Sequence, residues 1–438
     1  MDPRDNLTPL KPRRSSRLSG FHRLSVASRR RQLVEHRWLS ADDAYELETG
    51  GGYEERHADA MVENVIGIHG LPLAVALNFK LNGEDRLVPM AVEEPSIVAA
   101  CSYAARLARE AGGFFSQADP PVIAAQIQVL EVPDTAAVAA ALHDHAVALL
   151  DQANALIPRM VQRGGGAVDL EVRVLAPGML CVHVHVDCRD AMGANTVNAV
   201  AEGLAPTVAA LTGGRTGLRI LSNFTDRRKV TVRVRVPWSE LASEASPDGR
   251  AVRDAIVAAQ HFAEKDPYRA VTHNKGVMNG VDAVLVATGN DWRAVEAGAH
   301  AWAARSGTYG PLTRWGVGAD GALEGELVMP LAASTVGGAA LAHPGVKLAL
   351  RVARVTGALD LAALAAAAGL ASNLAALKAL STEGIQRGHM SLHARRVAVE
   401  AGASGEQIEL VAAKLAAEKS YRPERARELV GELMGVAR

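Results

Sequence analysis

Between residues 121 and 224 the sequence changes period four times, and this most constrains what the chain can fold into. AAQIQVLEV (124–132) reads as a strand, and TAAVAAALHDHAVALLDQANAL (135–156) as a long helix. AVDLEVRVLAP (167–177) and MLCVHVHVDC (179–188) read as two consecutive strands. NTVNAVAEGLAPTVAALTGG (195–214) is a second helix and GLRILSNF (217–224) a fourth strand. Apolar alternation marks the strands and i, i+3/i+4 spacing marks the helices. The result is one βαββαβ unit, a split β-α-β arrangement that needs helices and sheet in separate layers.

The flanks have a different grain. Residues 96–111 have helical spacing, with Ser96 at the cap position after Pro95. RKVTVRVRVPW (228–238) alternates strictly and predicts a half-exposed strand. From 249 to 382 long helices alternate with the β-rich runs DAVLVAT and LEGELVMPL, and from about Gly384 the chain is helical and charged. A length of 438 residues suits two or three domains, with the βαββαβ unit, ferredoxin-like in pattern, set inside a larger one.

Composition excludes several functions. Lys and Arg number 47 against 48 Asp and Glu, and aromatics are 4%, which argues against a dedicated nucleic-acid binder. Cys101, Cys181 and Cys188 have no CxxC spacing, so a disulfide framework and a cysteine zinc finger are excluded and a reducing, cytoplasmic setting fits. The longest uncharged run, Leu361–Leu377, is mostly alanine and short of the ~20 strongly apolar residues a membrane span wants. It reads as a buried helix, and no membrane partner is expected. The basic first 40 residues (Lys11, Arg13, Arg14, Arg17, Arg23, Arg29, Arg30 and Arg31) leave three readings: a solvated, disordered arm over 1–20, a transit peptide, or a phosphate-binding arm.

Three motifs are decoys on their context. GVGADG (316–321) spells GxGxxG but lies between LTRW and ALEGELVMPL, so it is the turn of a hairpin rather than the start of a dinucleotide-binding helix. Cys181, His183, His185 and Asp187 alternate along one strand and share a face. A closed metal site needs ligands from more than one element, so this reads as a structural histidine pair and no metal is expected. His389 and His393 stand i, i+4 but lack the glutamate of HExxH.

Six further segments are dense in polar residues: Glu63–Gly67 (ENVIG), Glu93–Ser96 (EEPS), Asp190–Asn195 (DAMGAN), Thr272–Gly276 (THNKG), Gly289–Arg293 (GNDWR) and Glu383–Met390 (EGIQRGHM). In this order they resemble the signature segments of the 3-hydroxy-3-methylglutaryl-CoA (HMG-CoA) reductase family, specifically its class II bacterial members. The resemblance runs from about Glu63 to about Ala398. It implies an α+β fold with a large mixed helical domain (21–120 and 225–385), an inserted ferredoxin-like NAD(P)-binding domain (121–224) and a C-terminal flap (386–438). It also implies a homodimer with the active site at the interface, able to assemble into hexamers. The activity implied is interconversion of HMG-CoA with mevalonate and CoA by two hydride transfers.

By the same resemblance Lys275 is the cation that stabilises the oxyanion formed by hydride attack. His389 is the flap acid that protonates the departing CoA thiolate, a leaving group with a free pKa of ~8.5. Glu94 protonates the second carbonyl, and Asp291 hydrogen-bonds both lysine and glutamate. Arg269 holds the substrate carboxylate as a guanidinium fork. Ser96, Asn223 and Asn279 are further substrate contacts. Asp190, Ala191, Met192, Gly193, Ala194 and Asn195 form the cofactor loop, ahead of a helix N-terminus that favours pyrophosphate. Likeness to degradative bacterial members favours NAD(H). NADP(H) stays open because 153–163 has no acid for the ribose hydroxyls and carries Arg159 and Arg163. Two other readings compete: another acyl-CoA or hydroxy-acid oxidoreductase on this scaffold, and a binding protein with a degenerate site.

Overall fold

The computed structural model describes residues 14–338, 342–382, 394–405 and 407–433. The fold is α+β, built on two sheets. A six-stranded sheet has the order β2-β1-β3-β8-β10-β9, from β1 (Leu73–Leu81), β2 (Glu84–Ala91), β3 (Phe114–Ala118), β8 (Lys229–Val236), β9 (Thr313–Val317) and β10 (Leu323–Pro330). A four-stranded sheet has the order β5-β6-β4-β7, from β4 (Val122–Leu130), β5 (Gly166–Ala176), β6 (Met179–Asp187) and β7 (Arg215–Leu221). The chain leaves the first sheet at β3 and re-enters it at β8, which pairs antiparallel with β3. The second sheet is therefore an insertion between two neighbouring strands. Counted from its own start its order is 2-3-1-4, the ferredoxin-like arrangement that the βαββαβ pattern predicts.

Helix α1 (Ile97–Arg109) backs the first sheet. Helices α2 (Thr135–Asp144), α3 (Ala146–Leu156) and α4 (Ala194–Thr212) cover one face of the second. α5 (Gly249–Lys265), α6 (Pro267–Ala287), α7 (Trp292–Ala303) and α8 (Ala358–Ser381) are the long helices that follow the insertion. α8 contains the alanine-rich run; Leu361, Leu364, Leu370 and Leu374 have no exposed surface. Its small side chains let α6 approach closely. A Cβ on Gly280 of α6 would lie 2.3 Å from the Ala368 carbonyl oxygen. Gly280→Ala is therefore expected to force the helices apart at a cost of about 1–3 kcal/mol. The denaturant midpoint should fall with an unchanged m value.

Three expectations need correction. The single helix over 135–156 is two, α2 and α3, broken at His145, whose backbone lies outside the helical region and whose ring Nδ1 sits 2.8 Å from the Ala141 carbonyl. DAVLVAT is not a strand but the last turns of α6, because a short β-branched run in a fully packed environment carries no distinguishing period. The basic arm is not disordered over all of 1–20. Ser16 is buried, its backbone N–H and hydroxyl both donating to Asp85 Oδ1 at 2.7 Å, and Leu18 and Phe21 join an apolar cluster with Leu33, Trp38 and Leu87. Basic composition conceals these few anchors. The hairpin expected at GVGADG is present, with β9 and β10 paired and Gly321 at φ 82°. Past residue 394, Val397, Val411, Leu415, Leu429 and Val430 form a small core of their own.

Candidate functional site

The site is built around α6. Its N-terminus is set by Asp266, whose side chain accepts from the Tyr268 N–H, with Pro267 in the first turn. One face of α6 is packed and the other carries Tyr268, Thr272, Lys275, Asn279, Asp282 and Val286, a stripe at i+3/i+4 spacing that remains partly or fully exposed. The segment THNKG divides accordingly. His273 and Asn274 point inward, while Lys275 points out and is 59% exposed.

The inward pair fixes the register of the outward one. Asn274 Nδ2 donates to the Tyr309 hydroxyl (3.0 Å) and the Gly310 carbonyl (2.9 Å), and its Oδ1 accepts from the Leu312 N–H (2.8 Å). His273 Nε2 lies 2.6 Å from Thr313 Oγ1. Asn373 of α8 accepts from Thr313 Oγ1 and Trp315 Nε1 (3.1 and 2.8 Å) and donates to the His273 carbonyl (3.3 Å). Sequence reading missed this buried network, whose one local signal was polar residues at inward positions of the helix.

Burial, aided by the nearby Arg269 cation, pushes the His273 pKa down to about 3. Unfolded chain takes up this proton near pH 6.5 and folded chain near pH 3. The contribution is thus present above pH 6.5 and lost as pH falls toward 3. Wild-type stability should fall across this window more steeply than that of His273→Gln, by up to ~1.4 kcal/mol per pH unit, in denaturant titrations at stepped pH.

On the outward stripe, Lys275 Nζ donates to Glu94 Oε2 at 2.7 Å. Glu94 follows β2 and is 35% exposed, and neighbouring Glu93 is exposed. Two residues expected to act together, 181 positions apart, therefore meet. Asn279 stands one turn beyond Lys275 on the same stripe. Arg269, about one and two-thirds turns before it, is half-buried and makes no hydrogen bond or ion pair among the described residues. Asp282 continues the stripe. Burial, reinforced by the neighbouring Glu296 carboxylate, raises its pKa to about 8.

Other expected residues make no hydrogen bond to the pair among the described residues. Asp291 caps α7, accepting from the Ala294 N–H (3.1 Å), and pairs with Arg293 at 3.3 Å. Among the described residues no hydrogen bond joins it to Lys275 or Glu94, so the structure shows two members of the expected trio in contact. Ser96 occupies the cap position of α1 with φ 75° and makes no side-chain capping bond, contrary to expectation. It lines a cavity of about 1280 Å³ with Arg17, Arg29, Arg30 and Arg106. Asn223 is exposed in the turn after β7, its carbonyl against Gly298 of α7. His389 lies outside the described residues.

Asp190–Asn195 links β6 to α4. Gly193 sits at φ 100° at the start of α4, where a Cβ would meet the Cys188 sulfur at 2.4 Å, so no other residue fits. The loop is tied down from below. Arg228, 2% exposed, donates to the carbonyls of Ala191 (3.2 Å) and Ala333. Asp190 accepts from the Ala358 N–H (2.8 Å) and so caps α8, while its carbonyl accepts from the Thr335 N–H (3.1 Å). Nothing in the sequence pattern marks Arg228 as buried, since it follows Arg227 in a polar turn. Near the loop, Arg189 donates to the Gly164 carbonyl.

The family model for Hydroxymethylglutaryl-coenzyme A reductase matches residues 26–394. The chain belongs to this family. A 3-hydroxy-3-methylglutaryl-coenzyme A reductase of Archaeoglobus fulgidus is 43% identical over 422 residues, covering 96% of this chain and 95% of the relative. A probable HMG-CoA reductase of Borreliella burgdorferi is 33% identical over 86% of this chain and 85% of its own. Among solved structures, HMG-CoA reductase from Streptococcus pneumoniae superposes with TM-score 0.81 at 38% identity, covering 95% of this chain and 99% of that one. The class II enzyme of the same organism, bound to NADPH in open conformations, gives TM-score 0.80 at 38% identity over 94% and 100% of the two chains. The chain is thus a class II member of the HMG-CoA reductase family, an oxidoreductase that uses a nicotinamide cofactor.

Proposed function

We propose that this chain reduces HMG-CoA to mevalonate, or runs the reverse reaction, at a centre built on Lys275 and Glu94. The observation that carries this is the 2.7 Å contact between them on the exposed stripe of α6. In the reductive direction two nicotinamide hydrides and two protons convert the thioester to a primary alcohol and release CoA as a thiol. Lys275 faces the oxyanion created by hydride attack, Glu94 supplies the proton to the second carbonyl, and Arg269, free of other partners among the described residues, takes the substrate carboxylate. Asp291 and His389 complete the set by family resemblance, as network partner and as acid for the CoA thiolate, with Ser96, Asn223 and Asn279 as substrate contacts.

The openness of the pair supports an active site completed by a second subunit. A cation stabilises an oxyanion strongly only where water is excluded, and a lysine 59% exposed lacks that shelter within one chain. A homodimer, able to build hexamers, supplies it. Asp190–Asn195 is the dinucleotide loop: α4 begins at Ala194, so its first amides are available to a pyrophosphate. The basic side chains in the cavity beside Ser96 fit the phosphates of CoA. The enzyme works in the cytoplasm, which three free buried thiols support.

We favour NAD(H) on the likeness to degradative members, against exposed Arg159 and Arg163 in the segment before β5, which suit a 2′-phosphate. The test is purified protein with HMG-CoA and either NADH or NADPH, following loss of reduced cofactor and appearance of free thiol. Absence of turnover with both rejects the reductase reading. A tenfold or greater kcat/KM advantage for NADPH rejects the NAD(H) preference.

A further inference from the structure

The inserted sheet has one face covered by helices, while on the other the side chains of its central strand β6 are buried as well, with His183 at 8% and His185 at 3% exposure. On β6, Leu180, Val182, Val184 and Val186 are fully buried beneath α2–α4. Cys181, His183, His185 and Asp187 alternate with them and point to the other face. Strand pairing then supplies what the spacing of these residues lacks, a ligand from a second element. Glu171 of β5 lies directly opposite His183, and Asp169 opposite His185. On the other side Gln126 of β4 lies opposite His183.

Among the described residues, Glu171, His183 and His185 are the one group whose donor atoms, a nitrogen from each ring and a carboxylate oxygen, all lie within 4.8 Å of one another. His185 Nε2 is 3.4 Å from Glu171 Oε2, and His185 Nδ1 is buried without a hydrogen-bond partner. His183 Nε2 is 2.9 Å from the Gln126 side-chain amide. Burial lowers the pKa of both rings, with Arg173 adding to the effect at His183 and Arg227 at His185. Cys181, on the same face, is not among the donor atoms that converge.

We propose that Glu171, His183 and His185 form a binding site for a divalent transition metal of the Zn2+ type. Two imidazoles and a carboxylate suit zinc, cobalt and nickel rather than calcium or magnesium, and three protein ligands leave coordination positions for water. Gln126 and Asp169 stand next to the ligands and can orient them or the water. The competitor is Arg227, whose guanidinium bonds Asp169 Oδ2 (2.5 Å) and Glu171 Oε2 (3.3 Å). It is 42% exposed on a turn and can swing out when a metal enters. The site lies outside the proposed catalytic centre, and its existence does not depend on that reading.

The experiment uses the full-length protein stripped by a chelator and titrated with Co2+, read by its visible ligand-field absorption, then challenged with Zn2+. One Co2+ per chain, displaced by Zn2+, is expected. His183→Ala/His185→Ala should weaken binding beyond the ~10–100-fold that loss of an outer-layer partner costs. Glu171→Gln, a change at a half-exposed position that opens no core, should weaken it as well. Arg227→Gln should tighten it. His261→Ala, on the exposed face of α5, should leave it unchanged. Circular dichroism confirms that each variant is folded. No Co2+ bound by wild type, or undiminished binding in both the double histidine variant and Glu171→Gln, overturns the proposal.

Discussion

Lys275→Ala is expected to lower kcat by about 10²–10³-fold while leaving the fold intact, the loss typical when one preorganised oxyanion-stabilising group is removed. The two parts of this expectation come from different sides of α6. Lys275 contributes almost nothing to packing, because it points into solvent and its ion pair with Glu94 is surface-exposed. Unfolding free energy should move by no more than about 0.5 kcal/mol. The effect on turnover is large because charge develops at the thioester carbonyl in the transition state and is absent in the bound substrate, so KM for HMG-CoA should change far less than kcat. Glu94→Gln separates the partners: it keeps the cation and removes the carboxyl, and should impair reduction of the aldehyde more than attack on the thioester. Stopped-flow absorbance of the reduced cofactor distinguishes the two hydride transfers. Unchanged turnover in Lys275→Ala removes the basis for the proposed centre.

Arg228→Met should act through both stability and cofactor binding. The guanidinium is buried and holds the Ala191 and Ala333 carbonyls, with Asp187 and Asp190 close enough to balance its charge. Methionine fills much of the space but strands those acceptors, at a cost of about 3–5 kcal/mol for breaking a buried charged arrangement. What separates a positioning role from a purely structural one is the kinetic split. If this contact sets the Asp190–Asn195 loop, KM for the nicotinamide cofactor rises about tenfold or more, with KM for HMG-CoA little changed. Arg228→Lys, which keeps the charge but not the fork, should recover part of the stability and less of the cofactor affinity. Equal losses toward both substrates would leave Arg228 a structural residue.

Much of the fold was legible because period is a local property. The alternation in AVDLEVRVLAP and MLCVHVHVDC survives as β5 and β6, and the alanine-rich run is a helix because small side chains pack against Gly280. What was hidden is nonlocal or context-dependent. DAVLVAT carries β-branched residues, yet it finishes a helix enclosed on most sides. Asp291, expected as a partner of Lys275, also caps a helix, a geometry in which the same carboxylate serves the backbone. Within THNKG a helical wheel separates Lys275 from its anchors only after the segment is known to be helical. Arg228 left no trace, since a buried arginine in a polar turn has no periodicity to violate. The pairing of Glu171 with His183 needs the register of two strands, which pattern reading does not supply.

The capping of α8 by Asp190 has a thermodynamic consequence. One carboxylate joins the proposed dinucleotide loop to the N-terminus of the most deeply enclosed helix among the described residues. Coupling between two equilibria is reciprocal. If a bound cofactor narrows the conformations of the loop, it also narrows those of the first turn of α8, and amide exchange there should slow on saturation. By the same reciprocity, a substitution that frays this turn weakens the cofactor without touching it. On that proposal, dinucleotide affinity depends partly on a helix end outside the loop itself.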